Sequence, residues 1–492
     1  MRLEPLRALL LPLTLLGGLV FGLSGCTTNP VTGGQSFTPF MSPADEKRIG
    51  AEEHPKLLAE FGGAYEEGGV ANYVSSIGNL LKRTSETPNE RFTFTVVDSP
   101  VVNAFALPGG YVYVTRGLIT LADDEAELAG VIAHEIGHVT ARHTAERYSR
   151  GMIAGLGAGL LGILTESPQL GQLGQLAAAA YIQGYSREQE FEADALGIRY
   201  MTRAGYDPRA MASFLTSLEA GDRLAQKIAG KEGTEPAMDL FRSHPRTGDR
   251  IARAAEAARS QSHQTLALDR EPYLAAIDGL LYGDSPAQGF VRGRLFIHPE
   301  LLFRFEAPPG FRLRNSSEAV IGEHENGALI IFDGAKPSSA NQGMLDYLRN
   351  DWAKGRGLES AERITINGLP AATGQTRINT NEGRYDARLV AIRLSADAIY
   401  RFLMLTPRAV TDALNEGLRR TTFSFRRIGP SEAAQYRTRR LQIVVVGAGD
   451  TPEGFARLMR VDDFPLETFR VLNGLRPGEA LRAGQRVKIV VE

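Results

Sequence analysis

His134-Glu135-Ile136-Gly137-His138 constrains this chain more than any other feature. Two histidines four apart on a helix project from one face, one turn apart, close enough for two imidazole nitrogens to share one ion. A glutamate beside the first can then sit at the ion's open position, where a bound water becomes a nucleophile. The pattern requires a helix, and its surroundings supply one. Tyr111 to Thr115 reads as a strand. Asp123-Asp124-Glu125-Ala126-Glu127 then reads as an acidic N-cap with a glutamate at the third helical position. Leu128, Val131, Ile132 and Ala133 lead into the motif without a breaker. The expected helix has about five to six turns and runs to roughly Tyr148.

Two histidines and a water leave zinc one protein ligand short. His143 follows His138 by five residues. That spacing, with no glycine at Ala141 to break the helix, makes it a residue of the helix surface or one supporting a ligand from behind. The better source is Ser186-Arg187-Glu188-Gln189-Glu190-Phe191-Glu192-Ala193-Asp194. Ser186 and Gln189 form a second capping box, so this is another helix start. Glu190 and Asp194 share its face: one can bind the metal, and the other can accept the N–H of a ligating histidine. Glu192 points elsewhere and reads as structural.

These segments, with Ser243-His244-Pro245 and Arg250, resemble the CAAX-prenyl-protease-like (Ste24-like) family of zinc metallopeptidases, which includes bacterial periplasmic proteases. Asn103 to Thr115 is similar to the strand and loop before that family's catalytic helix. The resemblance covers roughly residues 40–260. It implies one zinc held by His134, His138 and Glu190, with Glu135 as general base and Asp194 supporting a ligand. It also implies that His244 approaches the metal, either assisting the transition state or occupying the open position in a resting form. The expected reaction is hydrolysis of peptide bonds by a zinc-bound water that gives its proton to Glu135. Gly110, Tyr111 and Val112 are the expected exposed edge, along which an extended substrate would add as a strand.

The first 25 residues set the expected compartment. Arg2 and Arg7 precede an apolar run from Ala8 to Leu23, and Leu23-Ser24-Gly25-Cys26 resembles a bacterial lipobox. Residues 1–25 are therefore expected as a lipoprotein signal peptide, Cys26 as the lipidated residue, and 26–42 as a tether. Cys26 is the one cysteine in the chain, so no intrachain disulfide forms. Thr27 stands where an inner-membrane retention signal would place aspartate, which favours an outer-membrane lipoprotein facing the periplasm. The formal net charge is −2, and removing two arginines and one glutamate with the signal gives −3. Near-neutral charge argues against a nucleic-acid partner. Gly151 to Leu164 is apolar but too short to span a bilayer, and reads as a helix or lid near the site.

The expected fold is α+β and multidomain. It comprises a mainly helical, gluzincin-type metallopeptidase unit with a small edge sheet (43–260), a central α+β unit with an antiparallel sheet (288–428) and a small C-terminal βααβ module (439–492). The module's Gly449-Asp450-Thr451 turn, Leu472-Asn473-Gly474 and closing Gly484-Gln485-Arg486-Val487-Lys488-Ile489 resemble a LysM module, which implies peptidoglycan glycan as a candidate partner. Substrates expected from the whole are unfolded or misassembled envelope proteins. The alternative is an envelope scaffold or chaperone with a gated or silent site.

Overall fold

The computed structural model describes residues 26–492, apart from 30, 32, 34, 39–40, 152–183, 234–235, 239, 245–247, 262–265, 356 and 381–382. The signal-peptide segment and nearly all of the glycine-rich run after Gly151 lie outside the described residues. A short hairpin, β1 (Cys26–Thr28) and β2 (Gln35–Phe37), leads to helix α1 (Pro43–Glu60). Helix α2 (Val70–Thr84) precedes strands β3 (Thr93–Val97), β4 (Ala104–Leu107) and β5 (Tyr111–Thr115). Helices α3 (Arg116–Leu121) and α4 (Glu125–Thr140) follow, then α5 (Arg187–Ala204), α6 (Arg209–Ala229), the single turn α7 (Leu240–Ser243), α8 (Gly248–Gln261) and α9 (Arg270–Ile277). Among the described residues no helix is long and apolar enough to cross a membrane.

The capping signals form as their chemistry requires. Asp124 accepts the Glu127 N–H at 2.9 Å, satisfying one orphan donor at the start of α4, while Glu127 reaches past the N-cap to accept the Asp123 N–H at 2.9 Å. Ser186 and Gln189 form a full capping box on α5. Helix α4 stops at Thr140, short of the expected Tyr148. Arg142 is left-handed (φ 62°), and the chain turns helical again over 143–151. No glycine marks this break because side chains from elsewhere hold it. The Arg142 guanidinium donates to Met41 O at 2.9 Å and pairs with Glu46, while Asn29 donates to Ala141 O at 3.1 Å. The segment read as a tether is thus docked at Asn29 and Met41.

The small sheet has the order β3-β5-β4, parallel on one side and antiparallel on the other. Its middle strand is Tyr111–Thr115, buried at four of five positions. The expectation that Gly110, Tyr111 and Val112 form an exposed edge is therefore corrected. Gly110 turns the β4–β5 hairpin at φ 86°, where a side chain would strike Arg91 O, and the edges are β3 and β4. The aromatic and β-branched run that marks Tyr111–Thr115 as a strand says nothing about how many neighbours it has.

The central unit pairs seven antiparallel strands in the order Ser360–Ile366, Leu369–Thr380, Gly383–Arg393, Ile399–Pro407, Leu329–Ala335, Ala319–His324, Phe311–Asn315. A four-stranded sheet and helix Thr411–Ser424 cover one face over an aromatic core of Phe303, Phe305, Phe332, Phe402 and Phe425. His298 is buried beside this core, and burial lowers its pKa to about 4. A histidine depressed in the folded state carries stability that is present above its unfolded pKa near 6.5 and is lost as pH falls from there toward 4. Denaturant titrations should show a loss of about 3 kcal/mol across that window, and His298→Gln should flatten it.

The C-terminal segment folds as βααβ: Arg440–Val445, Pro452–Leu458, Pro465–Leu472 and Arg486–Val491, with the outer strands antiparallel. It shares a core with the helical unit, in which Phe469, Leu472 and Ile489 pack with Leu121, Tyr273 and Ile277. Tyr273, Leu274, Ile277, Leu280 and Leu281, from a stretch left outside any unit by sequence, also belong to that core. The fully buried Lys488 donates to Thr120 O at 3.1 Å and Ala122 O at 2.7 Å and faces Asp123 at 3.3 Å, which ties the module to the start of α4.

Candidate metal centre

Helix α4 presents His134 and His138 on one face, with both Nε2 atoms converging 3.0 Å apart. Helix α5 lies against it, because Gly137 lets the α5 backbone come close: a Cβ there would sit 3.1 Å from Ala193 O. The approach places Glu190 Oε1 3.3 Å from His138 Nε2, and Oε2 3.6 Å from His134 Nε2. His244, just after α7, directs Nδ1 to the same point, 2.9 Å from Glu190 Oε1 and 3.2 Å from His134 Nε2. One donor atom from each of the four residues lies within 4.8 Å of every other, and all four residues are buried.

This set fits a zinc ion. Donors bonded at about 2.0–2.1 Å around a tetrahedron lie roughly 3.4 Å apart, close to the separations found here. Imidazole nitrogens turned toward one another with a carboxylate between them repel unless a cation sits among them. Burial holds the His138 pKa well below its usual value, which keeps the imidazole neutral and ready to bind metal. Burial opposes the charged form of Glu190 as well, but His244, His138 and Arg250 together hold its pKa well below the carboxylate range.

The shell behind the donors is polar and paired. Asp194 Oδ1 lies 2.9 Å from His134 Nδ1, and with Glu190 it raises the pKa of that imidazole against the effect of burial. Arg250 spans both carboxylates, donating to Asp194 from Nε and Nη2 at 2.8 Å each and facing Glu190 from Nη1 at 2.7 Å. Tyr185 stacks on His138 with ring centroids 3.7 Å apart. Sequence reasoning noticed Arg250 only as part of a motif and missed Tyr185 altogether, since a lone tyrosine after a glycine-rich run carries no pattern. Glu135 stands outside the donor set. Both its oxygens are buried with no hydrogen-bond partner among the described residues, and His244 Nε2 lies 3.4 Å from Oε1. A small apolar cavity of about 30 Å³ opens beside Glu135, walled by Val131, Phe214, Leu215, Leu218 and Phe241.

A helical unit that gathers three histidines and a carboxylate at one buried point, beside a buried glutamate that stands outside the donor set, has the site of a metallopeptidase. Residues 70–258 match the family model described as Peptidase family M48, a family of metallopeptidases that use zinc. The chain is 34% identical over 241 residues to the putative beta-barrel assembly-enhancing protease of Vibrio cholerae serotype O1, covering 47% of this chain and 48% of that one. It is 30% identical over 215 residues to the beta-barrel assembly-enhancing protease of Escherichia coli strain K12, covering 42% of each. It is 29% identical over 228 residues to mitochondrial metalloendopeptidase OMA1 of Schizosaccharomyces pombe, covering 45% of this chain and 65% of that one. The chain spans about half the length of the first of these relatives.

Proposed function

We propose that the chain is a lipid-anchored zinc endopeptidase of the bacterial envelope that cleaves unfolded or misassembled envelope proteins. The convergence of His134, His138 and Glu190 beside the buried Glu135 carries this reading. Zinc supplies a Lewis acid that polarises the scissile carbonyl and makes water acidic. Glu135 takes the proton of the attacking water and returns it to the leaving amine. Asp194 orients His134, and Arg250 keeps Glu190 and Asp194 ionised and in place. The apolar cavity beside Glu135 suits a small hydrophobic side chain, and the outer edge of β4 suits an extended main chain.

The bacterial relatives named as beta-barrel assembly-enhancing proteases support an envelope substrate. The Leu23-to-Cys26 lipobox supports an outer-membrane anchor facing the periplasm. The βααβ order supports a LysM-like module with peptidoglycan as ligand. The test is metal content and cleavage. Purified full chain should carry one zinc and cut an unfolded outer-membrane protein, chelation should stop cutting, and added zinc should restore it. Absence of both zinc and cleavage sinks the proposal.

His244 favours a gated form of the same reading. Catalytic zinc sites keep one position open, and here the His244 imidazole fills the fourth corner. His134, Glu135, His138 and Glu190 are also all buried, so substrate needs the site to open. His244→Ala should raise peptidase activity, by about tenfold if the closed form is favoured by roughly 1.4 kcal/mol. A fall in kcat instead would assign His244 to the transition state.

A further inference from the structure

We infer that Glu192 and His143 form a positioning relay that fixes the orientation and tautomer of the metal ligand His138, and that the helix break at Arg142 exists to create it. The inference rests on the zinc-site reading and adds two residues to it. His138 turns Nε2 toward the donor cluster, and its other nitrogen, Nδ1, lies 3.0 Å from Nδ1 of His143. Nε2 of His143 lies 3.3 Å from Glu192 Oε2. One proton assignment satisfies every contact. A metal-binding Nε2 carries no proton, so His138 bears Nδ1–H and donates it to His143 Nδ1. His143 then bears Nε2–H and donates it to the Glu192 carboxylate. The two ligating histidines are thus held differently: His134 faces the carboxylate of Asp194 directly, whereas His138 reaches a carboxylate through a second imidazole.

The break makes this geometry available. On a continuous helix a residue five positions on is rotated roughly 140° from the first and points away from it. The left-handed Arg142 folds the chain back, so that His143 lies buried under His138. A left-handed arginine is unfavourable by about 1 kcal/mol and persists only where contacts impose it. Those contacts come from the N-terminal segment, through Met41, Glu46 and Asn29. Asn29 also hydrogen-bonds Glu192, so one side chain joins the helix break at Ala141 to the carboxylate end of the relay.

Zinc affinity of the full chain, read by competition with a chromophoric chelator, tests the relay, as does the visible spectrum of cobalt-substituted protein. Melting of zinc-free protein reports the fold separately. His143→Ala should weaken zinc binding about 10–100-fold and shift the cobalt bands. His143→Gln, whose carbonyl can accept the His138 N–H, should recover much of the loss, and Glu192→Ala should weaken binding severalfold. Zinc affinities of His143→Ala and Glu192→Ala within twofold of wild type overturn the relay. Should His143→Ala fail to fold, Glu192→Ala, at a partly exposed position, decides by the same criterion. A wild-type chain that binds no zinc overturns the metal-site reading and the relay with it. A zinc-loaded wild type with unchanged variants overturns the relay alone.

Discussion

Glu135→Gln should lower cleavage of an unfolded substrate by about a thousandfold while leaving one zinc per chain in place. The two halves of that expectation rest on different observations. Glu135 contributes no atom to the four-donor set, so an amide of the same shape leaves the metal donors where they are. Its carboxylate oxygens are buried, accept no hydrogen bond from the described residues and lie beside His244 Nε2 at 3.4 Å, an arrangement that suits a proton acceptor better than a structural anchor. An amide cannot accept that proton. Single-turnover cleavage and metal analysis on the same preparation check both halves. Residual activity within tenfold of wild type would remove Glu135 from the proton path, and loss of zinc would make it part of the metal cage instead.

Arg250→Met should destabilise the zinc-free helical unit by about 3–5 kcal/mol, a fall of roughly 10 °C in its melting temperature. The guanidinium is buried and makes three close contacts to two buried carboxylates. Methionine fills a similar volume but leaves Glu190 and Asp194 facing each other without a counter-charge. Burial alone would raise the pKa of Asp194, and Arg250 is the main reason it lies below its usual value. A carboxylate depressed in the folded state carries stability that is present above its unfolded pKa near 4 and is lost as pH falls through the folded value. The gap between wild type and variant should therefore narrow on acidification. Zinc should narrow it too, because the ion neutralises Glu190 but not Asp194. Calorimetry of both proteins with and without zinc, near neutral pH and near pH 3, measures all three effects. An unchanged melting temperature would mean that water, not Arg250, keeps the two carboxylates ionised.

Much of the site was legible because its chemistry is local. An HExxH pattern makes sense only on a helix, and Asp124 and Ser186 announce the starts of the two helices that carry the donors. What could not be read was how those helices end and what lies behind them. Residues from Asn29 to Glu46, about a hundred positions upstream, hold the break at Arg142, and no spacing rule around His138 encodes them. The edge-strand expectation failed for a similar reason. The aromatic and β-branched run Tyr111–Thr115 reads as a strand, but its place in the middle of the sheet depends on pairing with residues 93–97 and 104–107.

By itself the sequence determined the two capped helices that bear His134, His138 and Glu190 and the βααβ order of the tail, since each depends on residues within a few positions of one another. Only the tertiary structure decided that His244 joins the donor set, that Arg250 joins two carboxylates, that Lys488 binds the C-terminal module to the turn just before the helix bearing His134 and His138, and that His143 returns beneath His138. Each of these places polar groups from distant segments together out of water. Such groups persist only when each is paired, and the pairing is settled when the whole core closes rather than by any stretch of chain alone.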